Sequence, residues 1–236
     1  MGRVAYDAAW DYQESLMQAN LSIKAARYND HGEAQPVSED TRHHLLFCEH
    51  PHVYTLGKSG HMENLLVNDA RLKELNVSFF KTNRGGDITY HGPGQIVGYP
   101  ILDLEHFITD LGKYMRNLEE VIIRTLAHYN ITAGRLPGAT GVWLDADIKG
   151  KARKICAMGV RCSRWVTMHG FAMNVNTDLK YFDYIVPCGI TDKSVTSMRK
   201  EMGRNVDEGE VKELLLSEFG IVFNSEIIRN NIKEIV

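Results

Sequence analysis

The sequence predicts an α+β domain, a mixed and mostly antiparallel sheet flanked by helices. Two positive observations carry this: strand-like runs outnumber helical ones, and they come in adjacent pairs, as antiparallel sheets do. A third is negative: no GxGxxG marks a doubly wound nucleotide fold, and the GKS at residues 57–59 is no P-loop, since His52 stands where its leading glycine would be. The chain shows no internal repeat, low-complexity block or linker-like composition, so residues 1–236 read as one domain.

Each element follows from local pattern. Tyr6 to about Arg27 places Trp10, Leu16, Met17 and Leu21 at helical spacing. HHLLFCEH and HVYTLG read as short strands, the second closed by Gly57, and VSFFKT leads as a strand into RGGDITYHGPGQIVGYP, residues 84–100. The first half of that stretch is polar and turn-like, and the second half reads as a buried strand. Its paired glycines suit a sharp turn or a close approach of backbone, since no Cβ stands in the way. Residues 111–130 carry a helical stripe of Leu111, Tyr114, Met115, Leu118, Val121, Ile122 and Leu126. GVWLDAD reads as a strand, KGKARK as a charged turn, KICAMGVRC and WVTMHGFAMNVN as two further strands, and VKELLLSEFG as a late helix.

Composition narrows the function. Apolar content of 44% and charged content of 24% are ordinary for a globular protein, and the longest apolar runs are far shorter than a membrane span. A formal charge of −3 with scattered lysines argues against nucleic acid as the main partner. The opening MGRVAYDAAWDYQE resembles neither a signal nor a transit peptide, so the expectation is a cytoplasmic protein whose four cysteines are reduced thiols.

A nucleophilic thiol needs exposure and a group that deprotonates it. Cys48 lies in an apolar strand run and Cys162 ends a strand, which suits structural roles. Cys156 and Cys188 are the contenders. Cys188 sits in IVPCGI, between Pro187 and Gly189, in a turn from which a sulfur can protrude, although a small loop residue would fit there equally. His91 and His169 are candidate bases or hydrogen-bonded structural residues. Lys154 begins an otherwise apolar strand, as a solvated cation of the Lys149, Lys151, Arg153 turn or as an activating group. An ammonium beside a thiol that lowered its pKa by ~1.5 units from ~8.5 would make thiolate about half the population at neutral pH.

Five blocks in order, RGGDITYHGPGQIVGYP, PGATGVW, KICAMGVR, WVTMHGFAMNVNTDL and PCGITDKSVTS, resemble the octanoyl-acyl-carrier-protein:protein octanoyltransferases, also called lipoate–protein ligase B. The resemblance spans roughly residues 5–205. It implies the biotin/lipoate protein ligase catalytic-domain fold. It also implies a two-step transfer of octanoyl from octanoyl-acyl carrier protein, through a thioester on Cys188, to a lysine of a lipoyl domain. The implied acceptors are the lipoyl domains of 2-oxoacid dehydrogenase complexes and the glycine cleavage H protein, with no cofactor and no metal. Lys154 is the implied partner that lowers the thiol pKa. Implied substrate contacts fall on Arg84, Gly85, Gly86, Asp87, Ile88, Thr89, Tyr90 and His91, on Ala157, Met158 and Gly159, and on Gly170, Phe171 and Ala172. Tyr90 and His91 are expected to wall the thioester end. Gly170 and Ala172 are expected to leave one strand face open for the chain.

The sequence departs from the family in placing Cys156 where alanine is usual, on the face of Lys154 in a regular strand, and in a longer GVWLDADIKGKARK hairpin. Lys149, Lys151, Arg153, Arg161 and Arg164 form a cluster expected to steer acidic partners. Two other readings stay open: an ATP-dependent lipoate ligase of the same fold, and a non-catalytic acyl- or carrier-binding module.

Overall fold

The computed structural model describes residues 1–27, 39–186 and 193–229. Helix α1 (Tyr6–Ala26) is followed by β1 (His44–Cys48), β2 (Val53–Leu56), the short helix α2 (Asp69–Glu74), β3 (Ser78–Lys81), β4 (Ile88–His91) and β5 (Gln95–Ile101). Helix α3 (Leu111–Ala127) leads to β6 (Gly134–Leu136), β7 (Ala139–Leu144), β8 (Arg153–Ser163) and β9 (Val166–Asn174). A short β10 (Ser194–Val195) and helices α4 (Met198–Met202) and α5 (Glu208–Val222) complete the described chain.

Two sheets form. The larger runs β1-β5-β9-β8-β7-β6 with β10 on β8, and the smaller runs β3-β2-β4. All pairings are antiparallel except β2 with β3 and β8 with β10, which bears out the predicted fold class. Strand alternation divides the large sheet into two faces. Ile96, Phe171 and Met173 join the core under α3 and α5, whereas Val97, Tyr99, Ile101 and Ala172 join the core under α1.

Helix α3 follows its sequence pattern. Asp110 caps it by accepting the Lys113 N–H at 3.0 Å, and Tyr114, Leu118, Val121, Ile122 and Leu126 are buried. Helix α1 differs from expectation. Its buried stripe is Tyr6, Ala9, Gln13, Met17, Asn20 and Lys24, while Trp10, Leu16 and Leu21 pack only at its flanks. The polar members are satisfied by distant partners: Gln13 Oε1 accepts the His169 N–H at 2.9 Å, Asn20 bonds the Arg42 backbone, and Lys24 pairs with Asp103 at 2.7 Å. Hydrophobic spacing alone could not have found that face.

Three further differences concern the sheets. The turn-like first half of residues 84–100 holds a strand, β4, whose Thr89 and Tyr90 face Thr55 and Tyr54 of β2. The β8–β9 turn is made by Arg164 and Trp165, both at positive φ (48° and 66°), a conformation the hairpin needs and neither side chain advertises. Gly170 is small because β5 closes on it: a Cβ there would stand 2.2 Å from Gly98 O and 2.6 Å from Pro100 Cδ. Tight strand packing, rather than open space, explains that glycine. Gly170→Ala should therefore destabilise the fold by ~1–3 kcal/mol, read as a lower urea midpoint. An unchanged midpoint would refute this account of the contact.

Candidate active site

A cavity of about 480 Å³ opens between β8 and β9 on one side and the chain from Arg84 to His91 on the other. That volume falls within the ~300–1,000 Å³ of small-molecule sites. Backbone contact builds it. Gly85 N–H donates to Val160 O at 2.9 Å, and a Cβ on Gly159 would stand 2.7 Å from Gly85 O. Gly86 turns the loop at φ +86°. Arg84 holds the loop from within, its guanidinium donating to the carbonyls of Thr55 (2.6 Å), Gly85 (2.9 Å) and Asp87 (2.8 Å) and to Thr55 Oγ1 (2.9 Å).

Lys154 lines this cavity together with every residue that the resemblance implies for substrate binding except Tyr90. The Tyr90 ring lies in the core of the small sheet, stacked on Tyr181 at 5.0 Å, with its hydroxyl 2.7 Å from His52 Nδ1. Alternation along β4 sends Tyr90 away from the side that His91 faces. Sequence reasoning missed Tyr6 of α1, Tyr99 of β5, Leu111 and Met115 of α3, and Val195 of β10, all of which line the cavity. Leu111 and Met115 were legible only as members of the α3 apolar stripe, and the exposure of Leu111 emerges only in the fold. The others are brought in by packing.

Lys154 reaches the cavity through a bulge. Val142 pairs with Cys156 and Trp143 with Lys154, so Ile155 is an extra residue on β8. The insertion shifts the strand's alternation by one. Lys154 then lines the same cavity as Ala157 and Gly159, while Cys156 is fully buried in the core under α3 and α5. The expectation that Cys156 shares a face with Lys154 is thereby corrected. Burial pushes the Cys156 thiol well above its ordinary pKa, with the Ala172 backbone and Lys154 pulling weakly the other way. Burial also pushes Cys48 up to about 12 and raises Cys162. These three thiols are held protonated and make poor nucleophiles. Cys188 lies outside the described residues.

His91 and His169 are neutral. Burial, with His50 nearby, pulls His91 down to about 3, and burial, with Arg84 and Arg161, does the same to His169. His91 Nδ1 donates to Gln95 Oε1 at 2.8 Å, an assignment that follows because Gln95 Nε2 donates onward to Tyr90 O and Asn174 Oδ1. Asn174 in turn donates to Thr196 O, so a chain of side chains ties His91 to the end of β10. Neither imidazole is a useful base near neutral pH. The basic cluster separates as well: Arg153 and Arg161 stand eight residues apart on β8, roughly 26 Å. Arg153 is paired with Asp145 and Glu201, and Arg161 with Glu14. Of that cluster, Lys149 and Lys151 are the exposed members at the Lys154 end of the strand.

Burial of neutral histidines has a pH signature. His50, His91 and His169 titrate near 4, 3 and 3 in the folded chain, against ~6.5 when unfolded. Between those values the unfolded chain binds more protons. Stability is therefore complete above pH ~6.5 and falls as pH drops toward 4, by roughly 1.4 kcal/mol per pH unit for each histidine. Melting temperatures should decline steadily from pH 7 to 4.5, and His50→Gln should flatten the slope. A pH-independent melting temperature across that window would contradict the burial assigned to these rings.

Comparison with known proteins agrees with the geometry. The model of the lipoyl protein ligase A/B catalytic domain matches residues 6–220. A sequence from Flavobacterium psychrophilum named octanoyltransferase is 57% identical over 97% of this chain and 96% of its own length. One of the same name from Bacteroides fragilis is 51% identical over 90% of each. Among solved structures, a bi-partite lipoate protein ligase from Thermoplasma acidophilum superposes with a TM-score of 0.66 at 17% identity, covering 95% of this chain and 84% of that one. A lipoate-protein ligase A bound with ATP gives 0.65 at 16%, covering 95% and 85%. At such identities these structures speak for the fold. With a family match over almost its whole length and relatives above half identity, the chain belongs to the lipoyl protein ligase A/B catalytic-domain family.

Proposed function

We propose that the chain is an acyltransferase of lipoate biosynthesis. It moves octanoyl from octanoyl-acyl carrier protein, through a thioester on Cys188, to the target lysine of a lipoyl domain. The relatives named octanoyltransferase support the octanoyl group. One observation carries the assignment of the chemistry. Lys154 lines the cavity, and Val195, seven residues after Cys188, pairs with Lys154 in the parallel β10–β8 ladder. On the other side of Cys188, Phe182 also lines the cavity. The chain on either side of Cys188 is thus tied to the lysine's surroundings.

In the first step the Cys188 thiolate attacks the thioester carbonyl on the carrier's phosphopantetheine arm. The C–S bond to pantetheine breaks, and the Lys154 ammonium gives its proton to the departing thiolate. In the second, a neutral lysine amine of the lipoyl domain attacks the Cys188 thioester, an amide forms, and the Cys188 thiolate leaves. The amine's surplus proton returns to Lys154, restoring the starting ion pair. Exchange between thioesters is nearly balanced and thioester to amide runs downhill, so the sequence needs no ATP. Lipoyl domains of 2-oxoacid dehydrogenase complexes and the glycine cleavage H protein are the acceptors this reading implies.

Intact-mass measurement after mixing with octanoyl carrier protein, without ATP, should show one octanoyl adduct that vanishes in Cys188→Ala and cannot turn over to amide in Cys188→Ser. An adduct that survives in Cys188→Ala, or maps to Cys156, would show the wrong thiol has been chosen. Lys154→Ala should slow alkylation of Cys188 near neutral pH and shift its pH profile upward. Identical rates from pH 6 to 9 would remove Lys154 from the mechanism.

Chain length gives an independent check. Ala172 is buried and lines the cavity opposite Ala157. A buried methylene contributes ~0.8 kcal/mol, so hexanoyl should be used about 15-fold less well than octanoyl. Ala172→Val should shift the ratio toward hexanoyl. A lowered melting point with an unchanged ratio would mean that Ala172 serves strand packing alone.

A further inference from the structure

Trp143 stands directly across from Lys154 in the β7–β8 ladder, and the Lys154 ammonium lies 4.6 Å from the centroid of its ring. The indole is fixed. It is 2% exposed, and its Nε1–H donates to Ala139 O at 3.3 Å. Two irregularities create the pairing. Ile155 is the extra residue that turns Lys154 out of the core phase of β8. On β7, Gly141 adopts φ +115°, and a Cβ there would stand 2.6 Å from Cys156 O and 3.5 Å from Lys154 Cε. The missing Cβ makes room for the Cys156 carbonyl, while the lysine stem lies at ordinary contact distance. The Gly141 N–H is held by Glu119 Oε1 at 3.0 Å, and the fully buried Glu119 carboxylate is paired with Arg116 (2.7 Å) and Arg135 (3.0 Å). A charged group buried on α3 thus pins the bend that sets the ring beside the lysine.

We propose that Trp143 is a positioning residue for Lys154, holding the ammonium charged and in one place at the cavity wall. The inference rests on the reading of Lys154 as the partner of Cys188. The negative face of an indole attracts a cation within ~6 Å, which favours the ammonium form at this half-buried place. Fixing the ammonium also matters, because a thiolate gains from a neighbouring charge only while that charge stays near. Trp143 touches neither thiol nor thioester in this account; it acts through Lys154.

Two measurements test it together. The aromatic carbon–proton resonances of the three tryptophans are followed against pH by NMR, with Trp143 assigned by its loss in Trp143→Phe. They should show a titration at Trp143 that disappears in Lys154→Met. Alkylation of Cys188, quantified on its own peptide, should slow by roughly 2- to 10-fold at pH 7 in Trp143→Leu and shift to higher pH. Trp143→Phe and Trp143→Tyr, which keep a ring face, should recover most of the rate. Trp143 resonances indifferent to Lys154→Met, or a Trp143→Leu profile matching wild type, would overturn the inference. Wild-type alkylation in Lys154→Met would instead overturn the Cys188–Lys154 pairing, leaving the ring contact to be judged by NMR alone. The NMR titration uses the native tryptophan, so the inference stays testable even if Trp143→Leu fails to fold.

Discussion

The backbone of the 84–87 loop touches β8, and the cavity depends on that contact. Gly85 bonds to Val160 while Gly159 presents no Cβ to block the approach, so the loop can lie flat on the large sheet. The small sheet follows, because β4 begins at the end of the loop. The guanidinium of Arg84 makes the contact durable. A buried cation is costly unless its donors are met, and here several carbonyls and a hydroxyl meet them. Its charge also helps keep His91 and His169 neutral, which gives the inner cavity polar groups without imidazolium charge.

A second constraint is the phase of β8. One strand must supply core residues on one face and cavity residues on the other, and regular alternation would place Lys154 and Cys156 together. The extra residue at Ile155 separates them. Cys156 goes to the hydrophobic core, where its thiol is kept protonated, and Lys154 goes to the cavity. A departure from the family pattern that looked like a second reactive thiol is, in the fold, a packing residue. Bulges next to functional sites commonly re-aim one side chain in this way.

Local pattern foretold the elements whose cores are simple. The α3 stripe, β5 and β9 as strands and the glycines of the 84–100 segment were all legible, because each reflects a period, an apolar run or a backbone demand expressed within a few residues. The resemblance of five ordered blocks named many of the residues that the cavity gathers, with Tyr90 the one it misplaced. Helix α1 was legible as a helix but its buried face was not, since Gln13, Asn20 and Lys24 are accepted inside only because His169, Arg42 and Asp103 meet them there.

The sequence by itself thus determined the fold class, most of the strands and helices, and part of the set of residues around one site. Tertiary structure alone decided which way those residues point. It turned Tyr90 into the small sheet, buried Cys156, closed β5 over Gly170, divided the basic cluster along the length of β8 and set Trp143 against Lys154. The reason is common to all five. A side chain's face in a sheet changes with a shift of one residue, and its neighbours come from strands remote in sequence, so register and packing carry information that no short stretch contains.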